Sequence, residues 1–283
     1  GENLNFFDWV DKYGSESFRK KVTAQRAKFK GMDMTSSITE ALVTDEILKA
    51  FDPDEYETLT KEEVIESMKA FYGGEDVAYY DMPDEYQSYV ATANSFKMNR
   101  FLYSGRYDDI KSGKVSPNDG DKILINQVEA FKDYIDKAPN LPKSTKLVRF
   151  INGETFEGMV NLVVRNPEVA NKITGAIRGA LKGQEDKEVA KKEFTSHVAG
   201  VMFEANSFMS TSYDIEQNAF ISRDYQLEIY ADKGANALMT YNHDEAEVIL
   251  NVGSRLEFMD VEIKGDKAVV KMRTHSIDKK STD

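Results

Sequence analysis

The sequence predicts an α+β protein in which a helical module precedes a region that mixes helices with strands. Apolar residues in the first 112 positions recur at three- and four-residue intervals, the spacing of helices with one buried face. The last quarter of the chain instead carries short β-branched runs separated by turns. An apolar fraction of 41% over 283 residues supports a hydrophobic core. We therefore predict a helical N-terminal module over residues 1–112 and an α+β domain over residues 113–283.

Helices of the first third are bounded by capping and turn residues. Residues 37–51 have helical spacing and stop at Asp52-Pro53. Thr60 and Glu63 have the spacing of a capping box, in which each side chain accepts a hydrogen bond from the backbone of the other. This pattern predicts a helix that begins after Thr60 and ends at Gly73-Gly74.

A third helix is predicted from residue 84 to residue 102, since Pro83 suits a helix start and apolar residues follow at helical spacing. Tyr86, Tyr89 and Phe96 belong to the stripe that we expect to face the core. Residues 104–120 are rich in glycine, serine, aspartate and lysine and predict the loop that separates the two parts of the chain.

The second part opens with a helix and a strand. Residues 121–137 predict an amphipathic helix, and two prolines then lead into a β-rich run over residues 146–151. Residues 156–181 are helical in pattern with an interruption at Asn166-Pro167, and residues 183–192 predict a charged loop or a helix start.

Strands dominate the end of the chain. We predict strands over residues 226–230, 237–241 and 246–250 from their β-branched and aromatic content. Residues 255–263 and 268–273 form a predicted hairpin, because the turn residues Lys-Gly-Asp-Lys separate them.

Composition excludes several classes of function. A net charge of −12 argues against binding along a nucleic-acid backbone, which requires a positive surface. The absence of cysteine excludes disulfides and thiol catalysis, and three widely spaced histidines do not suit a metal cage. No apolar run approaches the roughly 20 residues that span a bilayer. The basic residues within 19–30 are either a solvated helix face or a patch for an acidic partner or an anionic membrane.

Three separated stretches carry residues suited to chemistry. Arg149 lies inside an apolar strand, so it is either at a sheet edge or directed at an anion. The run from Phe208 through Ser210-Thr211-Ser212 is a β-type segment rich in hydroxyls. Glu245 and Glu247 start an apolar strand two residues apart, which predicts that both side chains lie on one face. Alone, this pair also fits a solvated strand edge.

Together, the Arg, Ser-Thr-Ser and Glu-x-Glu stretches resemble the signature of ADP-ribosyltransferase toxins. The resemblance covers about 165 residues, from the helix at 121 to the last strand. It implies two packed antiparallel sheets with flanking helices and NAD⁺ as substrate in the cleft between the sheets. No metal is implied.

The resemblance also implies a role for each motif. Glu247 corresponds to the glutamate that bonds the ribose 2′-hydroxyl and stabilises the cation that forms on the sugar, and Ser210 to the serine that holds it. Arg149, Phe208, Thr211 and Ser212 would line the NAD⁺ site, although Thr211 and Ser212 also suit a role in shaping the strand.

Phe220 and Arg223 resemble the aromatic and arginine of the phosphate-nicotinamide loop in iota-toxin-like relatives. Phe150 follows Arg149 where some relatives carry a second arginine, so pyrophosphate binding is expected to depend more on Arg223.

By the same resemblance, Glu245 favours arginine as the acceptor, since relatives that modify arginine carry Glu at this position and those that modify asparagine usually carry Gln. The chemical reason is that a guanidinium is a poor nucleophile until a carboxylate orients it and takes its proton. We expect the two carboxylates to repel each other, so that one pKa rises while Glu247 stays ionised beside NAD⁺. Tyr241 either meets the target protein, as an aromatic does in relatives, or caps the core at a strand end.

The predicted function is transfer of ADP-ribose to a protein arginine, as in toxins that modify actin or another host protein. Alternatives are an NAD⁺ glycohydrolase or a non-catalytic binding or virion protein that kept the fold. The resemblance implies a secreted or injected effector that acts in the cytosol of a target cell, with a phage-delivered enzyme as the alternative. The N-terminal module could read the target, contact a delivery partner or support the fold.

Overall fold

The computed structural model describes residues 52–74, 82–90, 94–216 and 220–275. Eight α-helices lie in these ranges: α1 (Lys61–Tyr72), α2 (Asp84–Val90), α3 (Asn94–Tyr103), α4 (Arg106–Lys111), α5 (Asp119–Lys137), α6 (Gly153–Val164), α7 (Pro167–Leu181) and α8 (Lys187–His197). The eight strands are β1 (Thr145–Ile151), β2 (Met202–Glu204), β3 (Met209–Ser212), β4 (Tyr225–Ala231), β5 (Ala237–Met239), β6 (Glu247–Leu250), β7 (Arg255–Lys264) and β8 (Lys267–His275). The predicted helix over 37–51 and the basic segment over 19–30 lie outside the described residues.

Side chains cap the N-termini of α1 and α5, close to the predicted starts of both helices. Thr60 Oγ1 accepts from the Glu63 N–H, and the Glu63 carboxylate accepts from the Thr60 N–H, which confirms the capping box of α1. Gly73 ends the helix with φ 83°, a left-handed conformation that glycine adopts without strain. Asn118 and Asp121 form a second capping box, so α5 begins at Asp119, two residues before its predicted start.

The region between residues 84 and 112 differs from its prediction in two respects. The predicted third helix is two helices, α2 and α3, and Phe96 on α3 is 75% exposed instead of facing the core. Periodicity identifies an apolar stripe, but it does not show whether a neighbour covers all of that stripe. The predicted loop over 104–120 contains the short helix α4, which follows Gly105 in a left-handed conformation at φ 76°.

The interruption predicted at Asn166-Pro167 is confirmed as the junction of two helices. Arg165 ends α6 with φ 53°, and the Asn166 side chain accepts from the N–H groups of Glu168 and Val169 at the start of α7. Pro167 fits the first turn of α7 because its missing N–H has no intrahelical partner there. The charged segment after Gly183 is a short loop followed by α8.

The strands form one hydrogen-bonded order, β2-β7-β8-β4-β1-β3-β6-β5. The predicted β7–β8 hairpin is confirmed, but β4 and β8 pair in parallel. Between β1 and β3, Val148 and Ser212 form the single register pair. This pair connects the five strands β2-β7-β8-β4-β1 to the three strands β3-β6-β5. The α+β class with flanking helices is confirmed, while the two predicted antiparallel sheets are two parts of one mixed sheet.

Helices from both sides of residue 112 share a hydrophobic core with the sheet. Tyr89 of α2 stacks on Phe131 of α5 with ring centroids 4.4 Å apart, and Arg106 of α4 forms an ion pair of 2.7 Å with Asp121 of α5. The boundary at residue 112 stays a prediction, but the packing across it brings α2 next to the strands. In the described ranges, no helix has the length and apolar character that crossing a membrane requires.

Candidate active site

Three neighbouring strands bring the predicted motifs together. Arg149 lies on β1, Ser210 on β3 and Glu247 at the first position of β6, and these strands are adjacent in the sheet. Ser212 is the register partner of Glu247, so Ser210, two residues away on the same face, is its diagonal neighbour. The Arg, Ser-Thr-Ser and Glu-x-Glu stretches therefore meet at the junction between the two parts of the sheet.

Glu247 is buried, with 5% of its surface exposed, and three hydroxyl groups donate to its carboxylate. Ser210 Oγ donates to Oε1 at 2.6 Å. Tyr86 Oη donates to Oε2 at 2.7 Å, and Thr240 Oγ1 donates to the same oxygen at 3.2 Å. These donors come from β3, α2 and the residue after β5, so the rotamer of Glu247 is defined from three sides.

Burial raises the pKa of the Glu247 carboxyl above its usual range, since an ionised carboxylate is poorly solvated in the core. Hydrogen bonds from Ser210 and Tyr86 oppose the shift because they stabilise the ionised form. Repulsion from Glu245 adds to the rise but ranks below these effects. The raised pKa belongs to Glu247, the carboxylate that was expected to stay ionised, and its main cause is burial and not repulsion between the two glutamates.

Glu245 does not lie on the strand, so the prediction of two glutamates on one strand face is wrong. Strand β6 begins at Glu247, and Ala246 has a left-handed φ of 48° that breaks the alternation of side chains. Glu245 is exposed in the preceding turn, where Asn242 Nδ2 donates to its Oε2 at 3.2 Å. One carboxylate is therefore buried and the other faces solvent.

Arg149 is half-buried on β1, and its Nη1 donates to the backbone carbonyl of Ser210 at 2.5 Å. Burial lowers the pKa of its guanidinium, and the positive charge of Arg223 lowers it further. Strand β1 lies inside the sheet, which excludes the sheet-edge alternative for this arginine. Among the described residues, no carboxylate forms an ion pair with Arg149 or Arg223, so the arrangement suits an external anion.

The loop that carries Phe220 and Arg223 lies beside β1. Arg223 Nη1 donates to the Phe150 carbonyl at 2.8 Å, and its guanidinium lies 4.1 Å from the centre of the Phe220 ring. Phe220 is 59% exposed and has a positive φ of 63°. Lys267 Nζ donates to the Arg223 carbonyl at 3.0 Å and so fixes the loop to β8. An exposed aromatic ring and a cation are thus available on one side of the site.

Phe208, Thr211 and Ser212, which were predicted to line the NAD⁺ site, have structural contacts. The Phe208 ring is 1% exposed and packs at 4.9 Å from Phe131, so it faces the core. Thr211 Oγ1 donates to the Val248 carbonyl at 2.7 Å, and Ser212 Oγ donates to the Glu245 carbonyl at 2.8 Å. Thr211 and Ser212 hold β3 against β6 and the turn, which agrees with their strand-shaping alternative.

Tyr241 caps the core, which was the second of its two predicted roles. Its side chain is 3% exposed and lies 4.6 Å from the Tyr72 ring, and its hydroxyl donates to the carbonyls of Ile65 and Gly74. A side chain buried in this way has no surface to offer a target protein. The prediction that Tyr241 recognises the target is therefore not supported.

Sequence reasoning missed Tyr86, Thr240 and Lys267 as residues of the site. Tyr86 was recognised only as a core aromatic, and 161 residues separate it from Glu247. No local pattern connects positions so distant. Thr240 precedes the turn that carries Glu245, and its polar side chain at the end of an apolar strand was the available signal.

Metal chemistry has no candidate centre within residues 52–74, 82–90, 94–216 and 220–275. No group of three or more histidine, cysteine, aspartate or glutamate side chains in these ranges could hold an ion. The charged groups that the structure places at the site include the buried carboxylate of Glu247, the exposed carboxylate of Glu245 and the guanidinium groups of Arg149 and Arg223.

Comparison by sequence gives one family. The model of the ADP-ribosyltransferase exoenzyme family matches residues 87–280, which is more than half of the chain. All the sequence-predicted site residues lie in this range, whereas Tyr86 precedes it by one residue. No curated protein matches the sequence.

Solved structures of similar fold agree with the family match. C3stau2 from S. aureus, solved with NAD, has a TM-score of 0.57 and 15% identity over 78% of this chain and 99% of its own. The C3 exoenzyme of Clostridium limosum has a TM-score of 0.51 and 17% identity over 77% of this chain and 96% of its own. BECa of a C. perfringens binary enterotoxin, solved with NADH, has a TM-score of 0.52 and 14% identity over 75% of this chain and 47% of its own.

Proposed function

Because this chain belongs to the ADP-ribosyltransferase exoenzyme family, we propose that it transfers ADP-ribose from NAD⁺ to an arginine of a target protein. The observation that carries the proposal is the position of Glu247, a buried carboxylate held by Ser210 on the strands next to Arg149. A site for NAD⁺ must present negative charge to the ribose and positive charge to the pyrophosphate. Glu247 supplies the first, and Arg149 and Arg223 supply the second.

In the proposed reaction the bond between the nicotinamide nitrogen and ribose C1′ breaks, and its electron pair leaves with nicotinamide. Positive charge then develops on the sugar, as in glycoside cleavage. The Glu247 carboxylate stabilises this charge and accepts from the ribose 2′-hydroxyl, for which it has acceptor capacity beyond its three internal donors. A carboxylate that is already oriented does not have to reorganise as the charge forms.

The preference for arginine rests on Glu245. Its exposed carboxylate can form a bidentate pair with an incoming guanidinium and remove the proton that the nitrogen loses when it bonds to C1′. Asn242 holds one oxygen of Glu245 at 3.2 Å, which orients the group without burying it. Exposure is what an acceptor site for a second macromolecule requires.

Two substitutions test these roles in the full chain. We expect Glu247→Gln to lower both NAD⁺ cleavage and transfer by on the order of 10²–10³, because the charge at the sugar is lost. Glu245→Gln should lower transfer to an arginine-containing peptide by a similar factor and preserve most NAD⁺ cleavage. The readouts are nicotinamide release by chromatography and the mass shift of the peptide.

Asp244→Asn is the matched control, since it removes one exposed negative charge from the same turn and should leave both activities nearly unchanged. Full turnover in Glu247→Gln would contradict the site. Label on a lysine peptide in preference to an arginine peptide would contradict the acceptor. Nicotinamide release by the wild type without label on any protein would identify an NAD⁺ glycohydrolase. Calorimetry that detects no NAD⁺ binding would support a non-catalytic binding or virion protein that kept the fold.

For the biological target we propose a host protein, such as actin, that a secreted or injected form of this chain reaches in the cytosol of another cell. The family match and the toxin neighbours support this setting. Mass spectrometry of ADP-ribosylated peptides in host lysates, with Glu247→Gln as the blank, tests it. A set of modified arginines that is identical with enzyme and blank would overturn it.

A further inference from the structure

Among the described residues, Tyr86 is the helical donor to the Glu247 carboxylate, and it precedes the residues matched by the family model. Its hydroxyl lies 2.7 Å from Oε2, and none of its surface is exposed. A side chain so buried cannot contact a ligand that enters from solvent. Its hydrogen bond to the Glu247 carboxylate is therefore the contact that connects Tyr86 to the proposed chemistry.

Helix α2 is held in place by an aromatic cluster beside the site. Tyr89, one turn after Tyr86, stacks on Phe131 of α5 and lies 5.6 Å from Phe208 in an edge-to-face contact. Asn99 Oδ1 accepts from the Phe208 N–H at 3.0 Å, and Asn99 Nδ2 donates to Tyr89 Oη at 3.3 Å. Phe208 directly precedes β3, so the same contacts fix Tyr86 and Ser210 relative to each other.

We infer that Tyr86 is a positioning residue for Glu247, which makes α2 a part of the active site. Together with Ser210 on the other oxygen, Tyr86 limits rotation of the carboxylate about its last torsion. Its donated hydrogen bond also favours the ionised form that the sugar cation needs. This inference rests on the proposed role of Glu247 in NAD⁺ cleavage.

Several other groups affect the pKa of Glu247 and therefore the pH dependence of the proposed reaction. Ser210 and Thr240 donate to it, and burial raises its pKa. The charged and titratable groups that face it from the packed elements are Glu245 in the turn, Arg149 on β1, Tyr72 on α1 and Tyr89 on α2. None of these changes in Tyr86→Phe, so a shift in the pH profile of that variant reports the lost hydroxyl.

The test is nicotinamide release by the full-length Tyr86→Phe variant across a range of pH. We expect kcat to fall about tenfold or more on the acid side, because a hydrogen bond to a charged acceptor is lost. The acid limb of kcat/KM should move to higher pH, since the ionised carboxylate has lost a donor. The KM for NAD⁺ should stay within about twofold, as Tyr86 does not touch the substrate.

Tyr56→Phe is the matched control. It removes a buried hydroxyl that donates to a different buried carboxylate, Asp232 Oδ1 at 2.5 Å, in a core cluster separate from the one that surrounds Glu247. A merely structural role for Tyr86 would make the two variants alike, with lowered stability and an unchanged pH profile. If the wild type is active and Glu247→Gln is inactive, that result would overturn the inference about Tyr86 and leave the proposed function standing. An inactive wild type, or an active Glu247→Gln, would instead overturn the proposed function.

Discussion

Glu247 combines two properties that oppose each other at the level of the single residue. Burial disfavours its ionised form, yet stabilisation of a sugar cation requires that form. Donation by Ser210, Tyr86 and Thr240 compensates for part of the lost solvation. The proposed role therefore requires a charge in the core, and that charge costs stability.

The cost predicts that Glu247→Gln is more stable than the wild type at neutral pH. The folded state binds the Glu247 proton more tightly than the unfolded state, since the folded pKa is raised. Stability from the protonated carboxyl is present at low pH and is lost as the pH rises through the folded pKa. The neutral amide avoids this loss, so its Tm should exceed that of the wild type by on the order of a few °C at pH 8.

Thermal unfolding of both proteins between about pH 4 and pH 8 checks this expectation, because this range runs from near the usual pKa of glutamate upward. The difference in Tm should shrink as the pH falls. A difference that is constant with pH, or a wild type that is the more stable at pH 8, would contradict the assigned cost.

Arg223→Lys tests whether the loop residue Arg223 contributes to NAD⁺ binding. Lysine keeps the charge but loses the planar contact with Phe220 and the geometry of the bond to the Phe150 carbonyl. The KM for NAD⁺ should rise about tenfold with a smaller change in kcat. Arg178→Lys, in an exposed ion pair with Glu157 on α6, is the control and should leave KM unchanged. Equal effects of the two substitutions would contradict a role in binding the phosphates.

Among single residues, the sequence predicted those that belong to a recurring motif and missed those that do not. Arg149, Ser210 and Glu247 were found because their order and character follow a known signature. Tyr86 was not, because a hydrogen bond between positions 161 residues apart leaves no periodicity or spacing to detect.

At the level of elements, the turn before β6 decides where Glu245 points. Ala246 holds a left-handed φ of 48° and is 6% exposed, so a branched side chain would be strained there. We expect Ala246→Val to lower the free energy of unfolding by about 1–3 kcal/mol. Ala246→Gly should change it by less than about 1 kcal/mol, because relief of strain offsets the greater freedom of the unfolded chain.

Urea unfolding of both variants measures these effects. Equal stability of the valine and glycine variants would show that the conformation at residue 246 imposes no constraint. The assay of peptide labelling should follow the same order, with transfer impaired more by valine than by glycine.

Elements defined by local chemistry were predicted more accurately than those defined by packing. The capping box at Thr60 and Glu63 and the turn between β7 and β8 depend on a few adjacent residues, and both are confirmed. The exposure of Phe96 on α3 depends on which neighbours cover the helix, and the turn at Ala246 depends on one backbone angle. Neither is encoded in apolar spacing.

At the level of the whole molecule, a buried ion pair joins the end of β4 to β8, and a tyrosine of the segment before α1 donates to the same pair. Asp232 follows β4 and pairs with Arg273 of β8 at 3.1 Å, with side chains 9% and 4% exposed. Tyr56 Oη donates to the same carboxylate at 2.5 Å, and the Glu57 backbone forms a bridge to Thr145. The cluster holds three regions that are distant in sequence.

Asp232→Asn should therefore destabilise the fold by about 3 kcal/mol, because it removes the carboxylate that pairs with the buried Arg273 guanidinium. Chemical denaturation gives the free energy of unfolding. Asp133→Asn is the control, since Asp133 pairs with Lys137 on the exposed face of α5 and should change stability little. A loss no larger than that of the control would show that the buried pair is not required.

The order of the strands could not be predicted from the sequence, although most of the strands could. β1 lies between β4 and β3, and β4 runs parallel to β8, arrangements set by contacts between distant segments. The assignment of NAD⁺-type chemistry did not require this order. The shape of the site did, because it depends on β1, β3 and β6 being neighbours.

The separation of the two glutamates has an evolutionary consequence. Glu247 is buried, and the proposed chemistry at the sugar needs its carboxylate, whereas Glu245 stands in a solvent-exposed turn where its side chain accepts from Asn242. Mutations at position 245 can accumulate without loss of the fold or of the chemistry at the sugar. If the proposed roles hold, a lineage with this architecture can change the residue that it modifies while its catalytic centre is inherited intact.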